Sequence, residues 1–228
     1  MVNNFTRPET SGAVTGALFA RGTTVTTTLL QQVIGLLGVS FLCTAGGAIL
    51  GISWGPQAFM PAIIAGFVTL LLLRAMAHRT PLNMGLLYFF ATCEGMVLGL
   101  ILQSYAAGGY GGIIIDAALT TAALTFGAGG YGLLTRRDLS GWGDILMVCL
   151  FGLIVSLLLG LVLNLGPSGT FTGAFGALLF TGFIAYDFNR VARRRVVREG
   201  DAVLLTVAIY LDILNLFLSL LRLLRAFR

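Results

Sequence analysis

The residues of this chain with the most chemistry to offer are two carboxylates, Asp187 and Asp212, each set inside an apolar run. An ionised acid near the middle of a bilayer costs at least about 2.5–3.5 kcal/mol on the most lenient insertion scale, so an acid kept there implies a task. Two such groups brought together in a low dielectric cannot both ionise cheaply. One then holds a proton and hydrogen-bonds to the other. Such a pair is either a pH switch or a proton-sharing pin between two helices. The same two acids are also the carboxylate oxygens the sequence offers to a passing hard cation, which prefers several at once.

Positioning the pair falls to the last fifth of the chain. Residues facing each other across an antiparallel helix pair keep a constant sum of positions, and for Asp187 and Asp212 the midpoint lies between Glu199 and Gly200. Gly200 is a natural helix stop and Asp201 a natural N-cap, so the hairpin tip is expected at that midpoint and the acids at equal depth. Each acid would sit about 12 residues, or roughly 18 Å, from the tip. Further along, Asp212, Asn215, Ser219 and Arg222 follow a spacing of three, four and three, one narrow polar stripe among Leu, Ile and Phe. A stripe of this kind must face other helices or a water-filled cavity, which predicts a central last helix.

The wider chain is an integral membrane protein by composition: 57% hydrophobic, 10% charged, with a mean hydropathy of +0.94. Apolar windows at about 29–51, 59–77, 82–104, 112–134, 143–164, 170–190 and 202–224 are each long enough to cross a hydrocarbon core of roughly 30 Å. The expected fold is all-α, a bundle of seven transmembrane helices forming one domain over 29–228, preceded by a polar, Thr-rich tail over 1–28. Arg and His residues gather at 74–79, 136–137 and 190–198, while 52–58, 105–111 and 165–169 carry no charge. This alternation places the N-terminus in the cytoplasm. Arg222, Arg225 and Arg228 break the rule, so the last segment either crosses against it or dips in and returns.

The basic residues read as topology signals and not as a nucleic-acid surface, and the surrounding partner is the lipid bilayer. Cys43, Cys93 and Cys149 lie within apolar spans without metal-ligand spacing. Asn4-Phe5-Thr6 matches a glycosylation acceptor on the terminus placed inside, and no cleaved leader is evident. His78 stands in a loop without a ligand cluster. No nucleophile elbow or phosphate loop is present, and no catalytic residues or cofactor are expected. Intramembrane aspartyl proteases also use two aspartates, the second usually marked by a Gly-x-Gly-Asp motif, whereas here Asp212 follows Ile209-Tyr-Leu. Gly95-x-x-x-Gly99 and Gly169-x-x-x-Gly173 would let backbones approach closely between helices. Glu94, near the middle of the third span, either lines an ion path or pairs with Arg74 or another helix. Asn215 and Ser219 either line that path or hydrogen-bond between helices, while Asp116, Asp138 and Asp144 read as interfacial or surface charge.

Several of these stretches resemble a known family. Ala185-Tyr-Asp-Phe-Asn, Tyr210-Leu-Asp-Ile-Leu-Asn-Leu-Phe and Leu220-Leu-Arg-Leu-Leu are similar to the closing signature of the Bax inhibitor-1/YccA, or TMBIM, family. Leu134-Thr-Arg-Arg-Asp-Leu-Ser, the apolar helix ending in Asn164, and Tyr88-Phe-Phe-Ala-Thr-Cys-Glu-Gly resemble bacterial members. The resemblance runs from about residue 25 to the end. It implies seven helices with the last wrapped by the other six, and a pH-sensitive calcium leak sensed by Asp187 and Asp212. It also implies an arginine latch on the second helix, Arg74 or Arg79, and a bacterial inner (plasma) membrane location. A branch that modulates proteases lacks the two acids. The alternative function is a non-conducting subunit that binds a membrane protease or a larger membrane complex.

Overall fold

The computed structural model describes residues 10–162, 169–194 and 200–227, with side chains from Thr28 onward. Asn4, Arg7, Asn164, Arg195, Arg198, Glu199 and Arg228 therefore lie outside the described residues. The described chain is helical without strands: α1 (Thr10–Trp54), α2 (Phe59–Ala75), α3 (Leu82–Ala107), α4 (Gly111–Leu134), α5 (Trp142–Val162), α6 (Gly169–Arg193) and α7 (Asp201–Ala226). A single 3-10 turn, Pro56–Ala58, leads into α2. All seven are long and apolar enough to cross a membrane, and the apolar part of α1 is Thr28–Trp54. Helix α1 itself begins at Thr10, within the stretch read as a polar tail.

The helices follow from the sequence in the plainest way. A backbone in lipid must satisfy every N–H and C=O internally, and runs of Leu, Ile, Ala and Phe without charge do so as helices. Where hydroxyls interrupt these runs they turn back on the chain: Ser40, Thr44, Thr69, Thr121 and Thr206 each donate to the carbonyl four residues earlier. This satisfies a polar side chain without a second helix.

Two helix pairs carry most of the packing, α1 with α3 and α6 with α7. The first is a seam of glycines from both sides. A Cβ at Gly47 or Gly51 would run into the backbone of Thr92 or Met96, and one at Gly95 or Gly99 into the backbone of Thr44 or Ala48. The contacts step in register along both chains, as they do between parallel helices. Without a hydrophobic driving force between helices in lipid, such close approach is what holds them. The second pair is the antiparallel hairpin that carries the acids, and α7 packs in addition against α1, α3 and α4. Helix α5 has α6 as its main neighbour and exposes Ile145, Val148 and Phe151.

At the hairpin tip the turn is made by Gly200, with φ 85° and ψ −12°, and α7 starts immediately after it. The sequence placed the N-cap at Asp201; the structure places it at Gly200 and puts Asp201 in the first turn. The cause is the left-handed backbone, which glycine adopts at no steric cost. Asp201 pairs instead with Arg194 across the turn, where its charge also suits the positive end of α7. A Cβ on Gly200 would in addition collide with the carbonyl of Ala77, just past α2. Gly200→Ala is expected to lower stability by about 1–2 kcal/mol for the left-handed backbone alone, read as an earlier thermal unfolding midpoint in detergent.

The far end of α7 settles how the last segment runs. Arg225 lies over the rings of Tyr105 and Tyr110, at 5.5 and 5.3 Å, between the end of α3 and the start of α4. Since α7 begins beside Ala77, at the end where α3 starts, it runs the whole length of α3 and does not turn back. Arg225 thus lies at the opposite end of the bundle from the 135–141 and 190–201 connections, against the charge rule. The two tyrosine faces give the guanidinium an attractive seat there, worth about 0.5–1 kcal/mol at an exposed site.

Candidate functional site

Asp187 and Asp212 come together between α6 and α7. Both are buried, at 3% and 9% exposure, and they are close enough for the charge of one to act on the other. Their partners differ. Asp187 Oδ1 accepts a hydrogen bond from Arg190 Nη1 at 3.0 Å, an ion pair one turn apart on the same helix. Asp212 Oδ2 is buried with no hydrogen-bond partner. The rest of the polar stripe also turns toward α6: Ser219 is buried beside Gly176 and Gly173, and Asn215 and Arg222 are partly covered. Within this stripe Ser219 lies directly against the glycines of the neighbouring helix.

The opposite face of α7 is held by Tyr210, two residues and about 200° around from Asp212. Tyr210 is fully buried, and its hydroxyl lies 2.7 Å from Thr44 Oγ1. Because Thr44 already donates to the Ser40 carbonyl at 2.8 Å, the tyrosine is the donor in this contact. The ring packs on Phe41 and Phe90, at 5.4 and 6.0 Å. Tyr210 therefore ties α7 to α1 and α3, leaving the acid face toward α6. Glu94 belongs to the Tyr210 side: its carboxylate lies beside Gly66 of α2 and acts on Tyr210. An ion path joining Glu94 to the aspartates would have to pass around α7.

Arg74, in the last turn of α2, and Arg79, in the connection to α3, are exposed, and among the described residues neither forms an ion pair. The guanidinium on Asp187 is that of Arg190. A signal for it was available, since an acid and a base at i and i+3 on a helix are neighbours. Asn189 is a second residue that spacing alone did not single out. It is buried, its Oδ1 accepts from Leu139 N and Arg193 Nε at 3.2 and 3.1 Å, and its Nδ2 donates to the Gly132 and Arg137 carbonyls at 3.0 and 3.3 Å. Arg193 Nη2 adds a bond to the Arg136 carbonyl at 2.6 Å. This clamp fastens the acid-bearing end of α6 to the 135–141 connection. In the same connection Asp138 accepts from Ser140 N at 2.9 Å, and these bonds hold its exposed carboxyl below the usual range. Asn189→Ala is expected to cost about 2–4 kcal/mol, since several backbone groups lose their partner at about 1–3 kcal/mol each when buried. Thermal unfolding in detergent measures it.

Chemically the site offers two carboxylates, one of them already paired. Among the described residues no three His, Cys, Asp or Glu side chains gather as a metal site. The sequence profile of the family described as Inhibitor of apoptosis-promoting Bax1 matches residues 26–228. The chain belongs to the Bax inhibitor-1 family. A Golgi anti-apoptotic protein of Vaccinia virus (strain Lister) is 30% identical over 204 residues, covering 86% of this chain and 84% of the viral one. An uncharacterized protein of Campylobacter jejuni is 30% identical over 206 residues, 87% and 88% of the two chains. An uncharacterized membrane protein of Streptococcus pyogenes serotype M3 is 29% identical over 173 residues, 73% and 74% of the two. As a Bax inhibitor-1 family member the protein is a multi-pass membrane protein, and its aspartate pair lies within matched sequence.

Proposed function

We propose that this Bax inhibitor-1 family member is a pH-sensitive cation leak, with calcium as the permeant ion and Asp187 and Asp212 as the sensor. The observation that carries the reading is the buried, unpartnered Oδ2 of Asp212, facing a second carboxylate inside the membrane span. A group in that position changes its interactions with every proton it gains or loses, and it sits in one of the two helix interfaces that carry most of the packing. Protonation lets the acids share a hydrogen bond; deprotonation sets two like charges against each other in a low dielectric. The helix pair responds by changing its separation, which is the two-state element a gate requires. Two carboxylates fall short of the six to eight oxygens calcium takes, so a passing ion would complete its shell from water and carbonyls and would not be retained. Charge at the connections supports a cytoplasmic N-terminus, in a bacterial inner membrane.

A second reading is a non-conducting subunit that acts on another membrane protein. Helix α5, with its long exposed apolar face, favours it, and the viral relative is named for an effect on apoptosis and not for transport. Calcium entry into dye-loaded liposomes holding the purified protein separates the two. The leak reading expects entry above that of empty liposomes, varying between about pH 6 and 8, where a perturbed carboxyl can titrate; the subunit reading expects none at any pH.

A further inference from the structure

The two acids of the pair are not equivalent. Asp187 carries a built-in counter-ion: the Arg190 guanidinium bonds its Oδ1 at 3.0 Å and lies over the Tyr186 ring, 5.5 Å from its centre. The base is therefore fixed both along its edge, by the carboxylate, and across its face, by the ring. Of the two side chains in the ion pair, 42% of Arg190 is exposed and 5% of Asp187, so the arginine keeps its own hydration while reaching inward. Among the described residues Asp212 has no such partner, and one of its oxygens is buried with no hydrogen bond at all.

We infer that Arg190 is the positioning residue that divides the labour of the pair, holding Asp187 as a standing anion and leaving Asp212 to take up and release the proton. The inference deepens the leak reading and rests on it for its consequence, though not for its geometry. The cause is electrostatic. Two carboxylates at close range in a poor dielectric keep one proton between them, and the proton settles on the acid that lacks a compensating cation. An arginine cannot surrender its own proton to resolve the conflict.

Among the described residues nothing else charged around the site competes for either role. From α7 the group that faces Asp187 is Asp212. Over residues 28–54, α1 holds no Asp, Glu, Lys, Arg or His, and the one acid of α4, Asp116, lies at the other end of the bundle. The acid of α5, Asp144, is exposed. In the 135–141 connection, Asp138 is exposed and bonded to Ser140, and the Arg136 and Arg137 carbonyls accept from Arg193 and Asn189. Arg193 is engaged with Asn189 and Arg136, and Arg194 with Asp201. Arg190 is thus the cation that the structure assigns to the pair.

Infrared titration of the carboxylic acid C=O stretch tests this on the full-length protein in liposomes. The spectra are taken in a Glu94→Gln background, so that the remaining acid deep in a span is silent. At neutral pH the parent protein should show one buried carboxylic band, and Asp212→Asn should remove it. Arg190→Gln should show two, the second arising from Asp187, and Arg190→Lys should restore one. A band that survives Asp212→Asn, or an Arg190→Gln spectrum like that of the parent, overturns the assignment. Calcium flux recorded on the same vesicles keeps the two claims apart. The expected bands without any flux would uphold the division of labour and overturn the leak.

Discussion

Gly95→Leu should prevent the bundle from assembling. Gly95 sits where α3 touches α1, and even the first carbon of a side chain would overlap the Thr44 carbonyl. The obstacle is backbone, which has no rotamer to change, so the two helices must separate along the whole seam that Gly47, Gly51 and Gly99 share with it. In a well-packed interior, added methylenes cost about 1–3 kcal/mol when neighbours can shift. Here they cannot, and separation forfeits the close contacts that hold helices together in lipid. Gly95→Ala should already lose that much, and Gly95→Leu should yield no monodisperse species in detergent. Gly85→Ala, on the same helix with open space around it, should hold or gain up to about 1 kcal/mol from the better helix former. Gel filtration and thermal unfolding of the three variants check the contrast.

The second large effect is expected at Tyr210. Removing a fully buried aromatic ring costs about 3–5 kcal/mol, much of it from the cavity left behind. Tyr210→Ala would empty the space among Phe41, Phe90 and the Ala91 backbone. Tyr210→Phe should cost far less, about 0.5–1.5 kcal/mol. The hydroxyl donates to Thr44, and when it goes Thr44 still has its own bond to the Ser40 carbonyl, so no buried donor is stranded. If the two variants prove equally damaging, the hydroxyl and not the ring anchors α7.

What the sequence made legible was set by coarse physics. Seven spans follow from the length of apolar runs, and the hairpin tip follows from Gly200, whose left-handed turn lies where the two acids predict it. The stripe from Asp212 to Arg222 shows by spacing alone that its members share a face, and Asp212 and Ser219 on it meet α6. What stayed hidden depends on register between helices distant in sequence. Glycines occur in six of the seven spans, so nothing local marks Gly47 and Gly51 as the partners of the Gly95 seam. Asn189 gains its importance from carbonyls in the 132–139 stretch, which no helical periodicity reveals. The resemblance implies a latch from Arg74 or Arg79 of the second-helix region onto one aspartate, whereas the guanidinium bonded to Asp187 belongs to Arg190, one turn away on the same helix.

The central claim is that protonation of the Asp187 and Asp212 pair governs a cation leak. Its most direct test is the pH profile of calcium entry into liposomes for the unaltered protein, Asp187→Asn and Asp212→Asn, scanned from about pH 6 to 8. Asparagine keeps the shape and a hydrogen-bonding amide but cannot titrate. The account predicts a flux that varies with pH in the unaltered protein and a flattened profile in each variant. A profile that keeps its full pH dependence in both variants would contradict it.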